Sequence, residues 1–143
     1  MNRTEIALSR FAEGFNCSQS VLSAYAEGID RETALKIASG FGGGMGRMAE
    51  TCGTVTGAFM VLGLKFGAAS PDREAKERVY GKVREFADRF KARNSSLDCR
   101  DLLGCDISTT EGHQAARDRN LTATTCPKFV RDAIEILEEM LAE

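Results

Sequence analysis

The chain has 143 residues, 43% of them hydrophobic and 28% charged, which is the composition of a single soluble globular domain. Its formal net charge of −2 excludes the strongly basic surface of a nucleic-acid-binding protein or of a polybasic membrane contact. The longest apolar stretch, residues 58–64, is too short to span a bilayer, so we expect no membrane insertion.

The first third of the sequence predicts three short helices. Apolar residues recur at helical spacing up to Gly14, which weakens the end of the first helix. Asn16 and Gln19 have the spacing of a capping box and predict the start of the second helix. Asp30 predicts the N-cap of the third, with Ile37 among the residues that face inward.

The middle of the sequence contains a glycine-rich stretch followed by a long apolar segment. Residues 40–46 include five glycines, too many for a stable helix. Residues 52–66 are apolar on most sides, and their length favours a helix over a strand. Gly53 and Gly57 would give this helix a small-residue face, so we predict that it is the central, buried helix.

The remaining sequence predicts further helices and no strand. Ser70-Pro71 is typical of a helix start, and about 22 residues with helical spacing follow it. Residues 98–103 and 108–120 predict two shorter helices, and Cys126-Pro127 predicts the start of the last. We therefore predict an all-α single domain over residues 1–143, a bundle of about five to seven helices around the glycine-bearing one.

Four of the five cysteines directly follow residues that commonly cap helices, at Asn16-Cys17, Thr51-Cys52, Asp98-Cys99 and Thr125-Cys126. Asn, Asp and Thr side chains accept hydrogen bonds from the free amides of a helix's first turn. We predict that each pair opens a helix, whose positive dipole end favours a thiolate. We call Cys17, Cys52, Cys99 and Cys126 the four-cysteine set and expect its sulfurs to meet at one site.

The energetics of such a site limit what it can be. A helix start stabilises a thiolate by at most ~2 kcal/mol in a partly buried site. Two thiolates ~4 Å apart repel by roughly 4 kcal/mol at an effective dielectric constant of ~20. Because repulsion is larger, four adjacent thiolates need a metal ion or iron–sulfur core, pair as disulfides, or ionise one or two at a time. A [2Fe–2S] cluster, tetrahedral zinc and a thiol–disulfide relay all stay open.

The environment of the cysteines also bears on their role. Five cysteines without an export signal indicate a reducing compartment, so we expect a cytoplasmic protein. No Cys-x-x-Cys pair is present, so neither a thioredoxin-type motif nor a zinc ribbon is predicted. The alternative is structural, because free cysteine packs readily as a small apolar residue at helix ends.

The glycine-rich stretch supplies a second group of candidates beside Cys52. Gly43 and Gly44 either allow close packing there or expose amides that bind a phosphate or cofactor. Arg47 and Glu50 are candidate neighbours of the thiols, because an arginine lowers a thiol pKa and a glutamate raises it or relays a proton. Solvent-exposed loop charges are the alternative for both.

Two further residues are interpreted as lying outside the site. Cys105 lacks a preceding capping residue and is predicted to be a core or loop cysteine, with a resolving thiol as the alternative. His113, the only histidine, lies in a polar segment and is predicted to be a surface residue. No Ser/His/Asp arrangement or carboxylate pair supports hydrolase chemistry.

Three motifs resemble those of a known family: Phe15-Asn16-Cys17-Ser18-Gln19-Ser20-Val21, Gly42-Gly43-Gly44-Met45-Gly46 and Cys52-Gly53-Thr54-Val55-Thr56-Gly57-Ala58. With Cys99-Arg100-Asp101-Leu102-Leu103-Gly104 and Cys126, they are similar to the C_GCAxxG_C_C family, whose members are predicted to be redox-active. The resemblance covers essentially the whole chain and implies that the family's four cysteines are the four-cysteine set. Thr54 stands where the family motif has alanine, a change that a helix accommodates.

The resemblance implies a redox role without fixing the reaction. A related domain occurs in split-Soret cytochromes, which carry haem and an iron–sulfur centre. This sequence has no Cys-x-x-Cys-His, so covalent haem is not implied.

Our leading hypothesis is a redox protein that uses the four-cysteine set as a metal or [2Fe–2S] site or as a thiol–disulfide relay. It would act as an oxidoreductase or electron-transfer protein with a redox partner protein. We also consider a homodimer, because an apolar helix that contains glycines often packs against a second copy of the same chain. The alternative hypothesis is a protein without redox activity. It would be a non-catalytic helical module that binds a metal or a partner protein, and its cysteines would be structural.

Overall fold

The computed structural model describes residues 1–143 as an all-α domain with no β-sheet. Its eight α-helices are α1 (Arg3–Ala12), α2 (Cys17–Ser23), α3 (Arg31–Ala38), α4 (Gly53–Phe66), α5 (Arg73–Asn94), α6 (Cys99–Leu103), α7 (Thr110–Asp118) and α8 (Leu121–Leu141). The all-α prediction is confirmed. The eight helices are one more than the upper bound of the predicted five to seven, and the two shorter helices predicted over residues 98–103 and 108–120 are present as α6 and α7.

The apolar helix α4 lies at the centre of the fold and packs against α2, α5 and α8. Most of its first ten residues are buried, including Val55, Ala58 and Val61, which are fully inaccessible. Their burial removes apolar surface from water on several sides of one helix. The prediction of a central, buried, glycine-bearing helix is confirmed.

The helices α5 and α8 form the most regular part of the bundle. On α5, Phe86 and Phe90 are fully buried, and their rings stack with centroids 6.0 Å apart. Arg89 and Arg93 lie on the outer side of α5 and form ion pairs with carboxylates of α8. An apolar inner face and a paired charged outer face therefore hold these helices together.

The helix starts predicted at Asn16 and Asp30 are confirmed. Asn16 and Gln19 form the predicted capping box of α2, and Asp30 caps α3 through the amide of Thr33. Ile37 was predicted to face inward, which is wrong, because its side chain is 54% exposed. Its helix is short and its buried stripe consists of Ala34 and Ala38 alone.

Two later helix starts differ from the sequence-based predictions. Helix α5 is capped by Asp72, whose carboxylate accepts from the amides of Glu74 and Ala75, so the predicted Ser70-Pro71 start lies just before it. Helix α8 begins at Leu121 rather than at Cys126.

The glycine-rich stretch forms a left-handed turn between α3 and α4. The backbone at Gly43, Gly44, Met45, Gly46 and Arg47 has positive φ between 62° and 69°. The amide of Gly46 bonds to the carbonyl of Gly42, which closes one turn. Glycine adopts this conformation freely, and other residues rarely do. The prediction that this stretch cannot remain an ordinary helix agrees with its backbone.

None of the eight helices combines the length and apolar character that crossing a membrane requires.

Candidate functional site

All members of the four-cysteine set line one cavity of about 400 Å³. Each is buried, with 5 to 9% of its surface exposed, and none is in a disulfide. Cys105 does not line this cavity, and its thiol donates a hydrogen bond to the carbonyl of Gly112 at 3.0 Å. The fold therefore brings together four thiols that are distant in the sequence and leaves the fifth outside.

Cys17 reaches the cavity because α2 packs very closely on α4. It is the first residue of α2, directly after the capping residue Asn16. A Cβ atom at Gly53 would lie 3.1 Å from the Cys17 Cβ, and one at Gly57 would lie 2.9 Å from the carbonyl oxygen of Ser18. The distance at Gly57 is too short for a side chain, and a side chain at Gly53 would require its neighbours to move by a few tenths of an ångström, so both glycines favour this close helix contact.

Cys52 and Cys99 are positioned by a reciprocal backbone contact between the segments that precede α4 and α6. The amide of Cys52 donates to the carbonyl of Leu97 at 2.8 Å, and the amide of Cys99 donates to the carbonyl of Glu50 at 2.6 Å. Thr51 and Asp98 form an isolated antiparallel bridge at the same place. These bonds explain how two cysteines 47 positions apart in sequence enter the same cavity.

The glycine turn packs directly behind Cys99. A Cβ atom at Gly44 would lie 2.6 Å from the amide nitrogen of Glu50 and 2.7 Å from the Cys99 Cβ. The amide of Glu50 in turn donates to the carbonyl of Gly44 at 3.0 Å. Gly44 is therefore required both by its positive φ and by the space that Cys99 occupies.

Cys126 enters the cavity from the second turn of α8. The prediction that Thr125 caps a helix beginning at Cys126 is wrong, since the left-handed backbone at Asn120, with φ of 53°, sets the start upstream. Pro127 lies inside the helix and has no N–H to donate to the carbonyl of Ala123. Ala123 also lines the cavity, so the turn of α8 that lacks this hydrogen bond is part of the cavity wall.

The other capping predictions hold in part. Cys99 follows Asp98 at the start of α6, although the Asp98 side chain makes no capping hydrogen bond. Cys52 is itself the N-cap residue of α4, and no side chain caps that helix. The hydroxyl of Thr54 lies 3.1 Å from the Cys52 sulfur. The helix-start argument thus selected the four cysteines that line the cavity, but full side-chain capping is present only at Cys17.

The interaction of the Cys17 and Cys126 thiols shifts their pKa values in opposite directions. Interaction with the Cys17 thiol lowers the pKa of Cys126 despite its burial. The same interaction, together with desolvation, raises the pKa of Cys17 well above its usual range. An interaction that favours the charged form of one thiol favours the neutral form of the other. The two positions therefore favour one thiolate and one thiol.

Cys52 and Cys99 favour the neutral thiol. Desolvation raises the pKa of Cys52, an effect that the Thr54 hydroxyl partly offsets. Desolvation also raises the pKa of Cys99 to about 12, and repulsion from Cys52 and Cys126 adds to it. Burial disfavours charge at both positions, so Cys126 is the member of the set on which a negative charge is best stabilised.

The candidate residues of the glycine stretch fall into two groups. Gly43 and Gly44 line the cavity, whereas Arg47 and Glu50 are exposed and do not. Glu50 touches the site only through its backbone, whose carbonyl holds the amide of Cys99. A direct electrostatic action of the Arg47 and Glu50 side chains on the thiols stays a prediction.

Sequence reasoning missed the apolar walls of the cavity. They are formed by residues that the sequence marks only as apolar: Phe11, Phe15, Leu102, Leu103, Ile107 and Phe129. Apart from the thiols, no ionisable side chain lines the cavity. The spacing of Leu102 and Leu103 after Cys99 was a usable signal, because residues one turn further along a helix share its face.

The thiols, as placed, do not form a ligand set for a single metal ion. No group of three or more His, Cys, Asp or Glu side chains is close enough to hold one. A tetrahedral zinc site needs four such ligands at about 2.0–2.3 Å from the metal. The arrangement therefore does not fit zinc without movement of the side chains.

Comparison with protein families identifies the chain. The family described as "Putative redox-active protein (C_GCAxxG_C_C)" matches residues 15–140, which include the whole four-cysteine set and the glycines that position it. No curated protein and no solved structure matches the chain. The matched region spans most of the sequence, and the chain therefore belongs to the C_GCAxxG_C_C family.

Proposed function

We propose that this protein is a thiol–disulfide redox protein in which Cys17 and Cys126 form the reactive pair. The observation that carries the proposal is the entry of four buried, unbridged thiols into one cavity. Within it, the interaction of Cys17 and Cys126 lowers the pKa of one thiol and raises that of the other. A thiolate, and not a thiol, attacks a disulfide, so asymmetric protonation of two adjacent cysteines is the condition that exchange requires.

The chemistry assigns a separate role to each member of the pair. Cys126, as the thiolate, attacks a sulfur of an incoming disulfide and forms a mixed disulfide. Cys17, as the thiol, loses its proton to the departing thiolate and attacks the Cys126 sulfur, which closes the Cys17–Cys126 disulfide. The pair thereby gives up two electrons and the proton of Cys17, and the incoming disulfide leaves as one thiol and one thiolate.

Cys52 and Cys99 supply a second pair of thiols in the same cavity. Their reciprocal backbone bonds hold them together, and their raised pKa values keep them as thiols until exchange reaches them. We propose that they take over the disulfide from the first pair, so that the set acts as a relay. A redox partner protein that restores the thiols belongs to this proposal, and homodimerisation stays a prediction.

Titration of the purified protein in thiol–disulfide buffers tests the proposal. We expect a reversible two-electron transition in the wild type and its loss in Cys17→Ser and in Cys126→Ser. Cys105→Ser is the matched control, because Cys105 lies outside the cavity, and it should retain the transition. If all cavity serine variants lower stability while the transition persists, the cysteines are structural and the proposal fails.

A thiolate-bound metal or [2Fe–2S] centre is the second candidate, favoured by the entry of all four sulfurs into one cavity. A cluster would supply one-electron transfer in place of disulfide exchange. Its binding requires the thiols to move, since they do not converge on a single ion as placed. Anaerobic purification with metal analysis and visible absorption separates the candidates. Stoichiometric iron with absorption lost in Cys52→Ser would favour the cluster.

A further inference from the structure

A polar groove adjoins the cysteine cavity on the side of the glycine turn. It has a volume of about 470 Å³ and runs between that turn and α7. Groove and cavity are adjacent, because four residues line both of them: Asn16, Gly43, Ile107 and Thr122. A molecule that occupies the groove therefore lies next to the cavity that holds the thiols.

The groove has a positive electrostatic character. Arg47, Arg117 and His113 line it, and no carboxylate does. Neither Arg47 nor Arg117 forms an ion pair within 4.0 Å, although seven other basic residues pair with carboxylates. In a protein of net charge −2, two unpaired guanidinium groups beside an imidazole favour an anion.

The backbone holds one of these arginines in a rare conformation. Arg47 has φ of 63°, and its side chain passes close to Gly43, where an added Cβ would lie 3.3 Å from the Arg47 Cβ. A non-glycine residue in the left-handed region costs about 1 to 3 kcal/mol, and such strain is concentrated at functional sites. Arg47 lines the groove together with Arg117 of α7.

The cavity beyond the groove has the opposite character. Its walls are apolar and contain no charged side chain apart from the thiols. The two compartments together thus match a molecule with an anionic end and an uncharged end. The uncharged end would lie against the sulfurs.

We propose that the groove and cavity bind a small disulfide that carries an anionic group, such as a carboxylate, sulfonate or phosphate. This inference rests on the proposed function, since it names the substrate class of the Cys17–Cys126 pair. Arg47 and Arg117 bind the anionic group, and the disulfide sulfurs enter the cavity. Cys126 attacks one sulfur, Cys17 resolves the mixed disulfide, and two anionic thiols leave as the protein disulfide forms.

Three matched disulfides test the charge preference: bis(2-sulfonatoethyl), bis(2-hydroxyethyl) and bis(2-ammonioethyl) disulfide. They differ only in the terminal group. A free thiolate reacts most slowly with the anionic compound, because like charges repel. We expect the protein to reverse this order, with kcat/KM at least about fivefold higher for the sulfonate than for the hydroxyl compound. A ratio of one or below would overturn the inference.

Variants of the groove arginines test whether the preference for an anionic disulfide arises in the groove. Arg47→Gln and Arg117→Gln should each lower the sulfonate-to-hydroxyl ratio by about two- to fivefold, and the double variant by about tenfold. Arg119→Gln is the matched control, because Arg119 is exposed, lies just after α7 and does not line the groove. If Arg119→Gln lowers the ratio as much as Arg117→Gln, the effect is one of net charge and the inference is wrong.

Equilibrium binding separates this inference from the proposed function. Cys126→Ser cannot begin the exchange, so calorimetry of this variant with the sulfonate compound measures binding alone. Saturable binding that is weakened by Arg117→Gln supports anion binding in the groove. This support holds even if no probe oxidises the wild type, in which case the proposed function fails. Absence of binding in this variant, with wild-type turnover that does not depend on probe charge, refutes the groove while the proposed function stands.

Discussion

The two ends of this domain are built in different ways. At one end, which we call the bundle end, α5 and the second half of α8 join through buried rings such as Phe86 and Phe90 and through ion pairs of Arg89 and Arg93. At the other, the cysteine end, the four-cysteine set surrounds a cavity held by glycine contacts and by the left-handed turn. The bundle end is filled and has ion pairs between its two helices, and the cysteine end has a cavity and an adjoining groove whose two arginines are unpaired.

The difference separates residues that stabilise the fold from residues that serve the site. Five non-glycine residues have positive φ, and each costs about 1 to 3 kcal/mol. Four of them belong to the cysteine end, since Met45, Arg47 and Ala49 lie together in and after the glycine turn and Asn120 lines the cavity. The fifth, Ser95, directly follows α5. We infer that packing at the bundle end compensates for the strain at the cysteine end, and the four predictions below test that division.

The largest effect is expected at the bundle end. Phe86→Ala removes a fully buried ring that contacts Phe59 and Phe90, and should lower the free energy of unfolding by about 3–5 kcal/mol. Urea unfolding followed by circular dichroism measures the loss. Thiol alkylation rates in the folded variant should stay near those of the wild type. A loss below about 1 kcal/mol would contradict the assignment of this end as the main source of stability.

The next effect is at the cysteine end. Gly44→Ala places a Cβ 2.7 Å from that of Cys99 on a backbone with φ of 69°, and should cost about 2–4 kcal/mol. Gly81→Ala on α5 is the control, since its Cβ would meet nothing within 4 Å, and it should gain about 0.5–1 kcal/mol. Equal effects of the two substitutions in urea unfolding would show that the turn is not specifically constrained.

The third prediction concerns pH. Because the Cys17 thiol lowers the pKa of Cys126, alkylation of Cys126 by iodoacetamide should have its pH midpoint below the ~8.5 of an ordinary cysteine. Cys17→Ala removes this thiol, and burial then acts alone, so the midpoint should move upward. Peptide mass spectrometry after timed alkylation gives the rate at each pH. An unchanged midpoint would remove the case for a thiol–thiolate pair.

The smallest effect contrasts paired with unpaired arginines. Arg93→Gln breaks ion pairs with Asp132, Glu135 and Glu139 and should cost about 0.5–1 kcal/mol, less at high salt. Arg117→Gln breaks none and should change stability by less than about 0.5 kcal/mol. Thermal unfolding at two salt concentrations compares them. A larger, salt-sensitive loss in Arg117→Gln would mean that the cysteine end also depends on surface charge for stability.

Much of the fold follows from local sequence patterns. The capping box at Asn16, the Asp30 cap and the apolar run after Cys52 predict their helices because each signal acts within a few residues. The helix start before Cys126 could not be predicted in this way. It depends on a left-handed Asn120 and on an internal proline, both of which local rules disfavour.

The candidate site was predictable in its thiols but not in its surroundings. Helix-start context selected the four-cysteine set, although only Cys17 is capped as that reasoning requires. Cys17 and Cys126 are more than 100 positions apart in sequence and meet in one cavity, and the unpaired Arg47 and Arg117 are brought to one groove by tertiary packing. No periodicity or spacing in the sequence reports such long-range contacts.

Disulfide mapping of the oxidised protein tests the central claim most directly. The protein is oxidised in a thiol–disulfide buffer, trapped with acid, alkylated and digested, and the linked peptides are identified by mass spectrometry. We predict a Cys17–Cys126 link as the first disulfide to form, with a Cys52–Cys99 link appearing by exchange and Cys105 remaining alkylated. A protein in which Cys17 and Cys126 stay free while other cysteines oxidise would contradict the account.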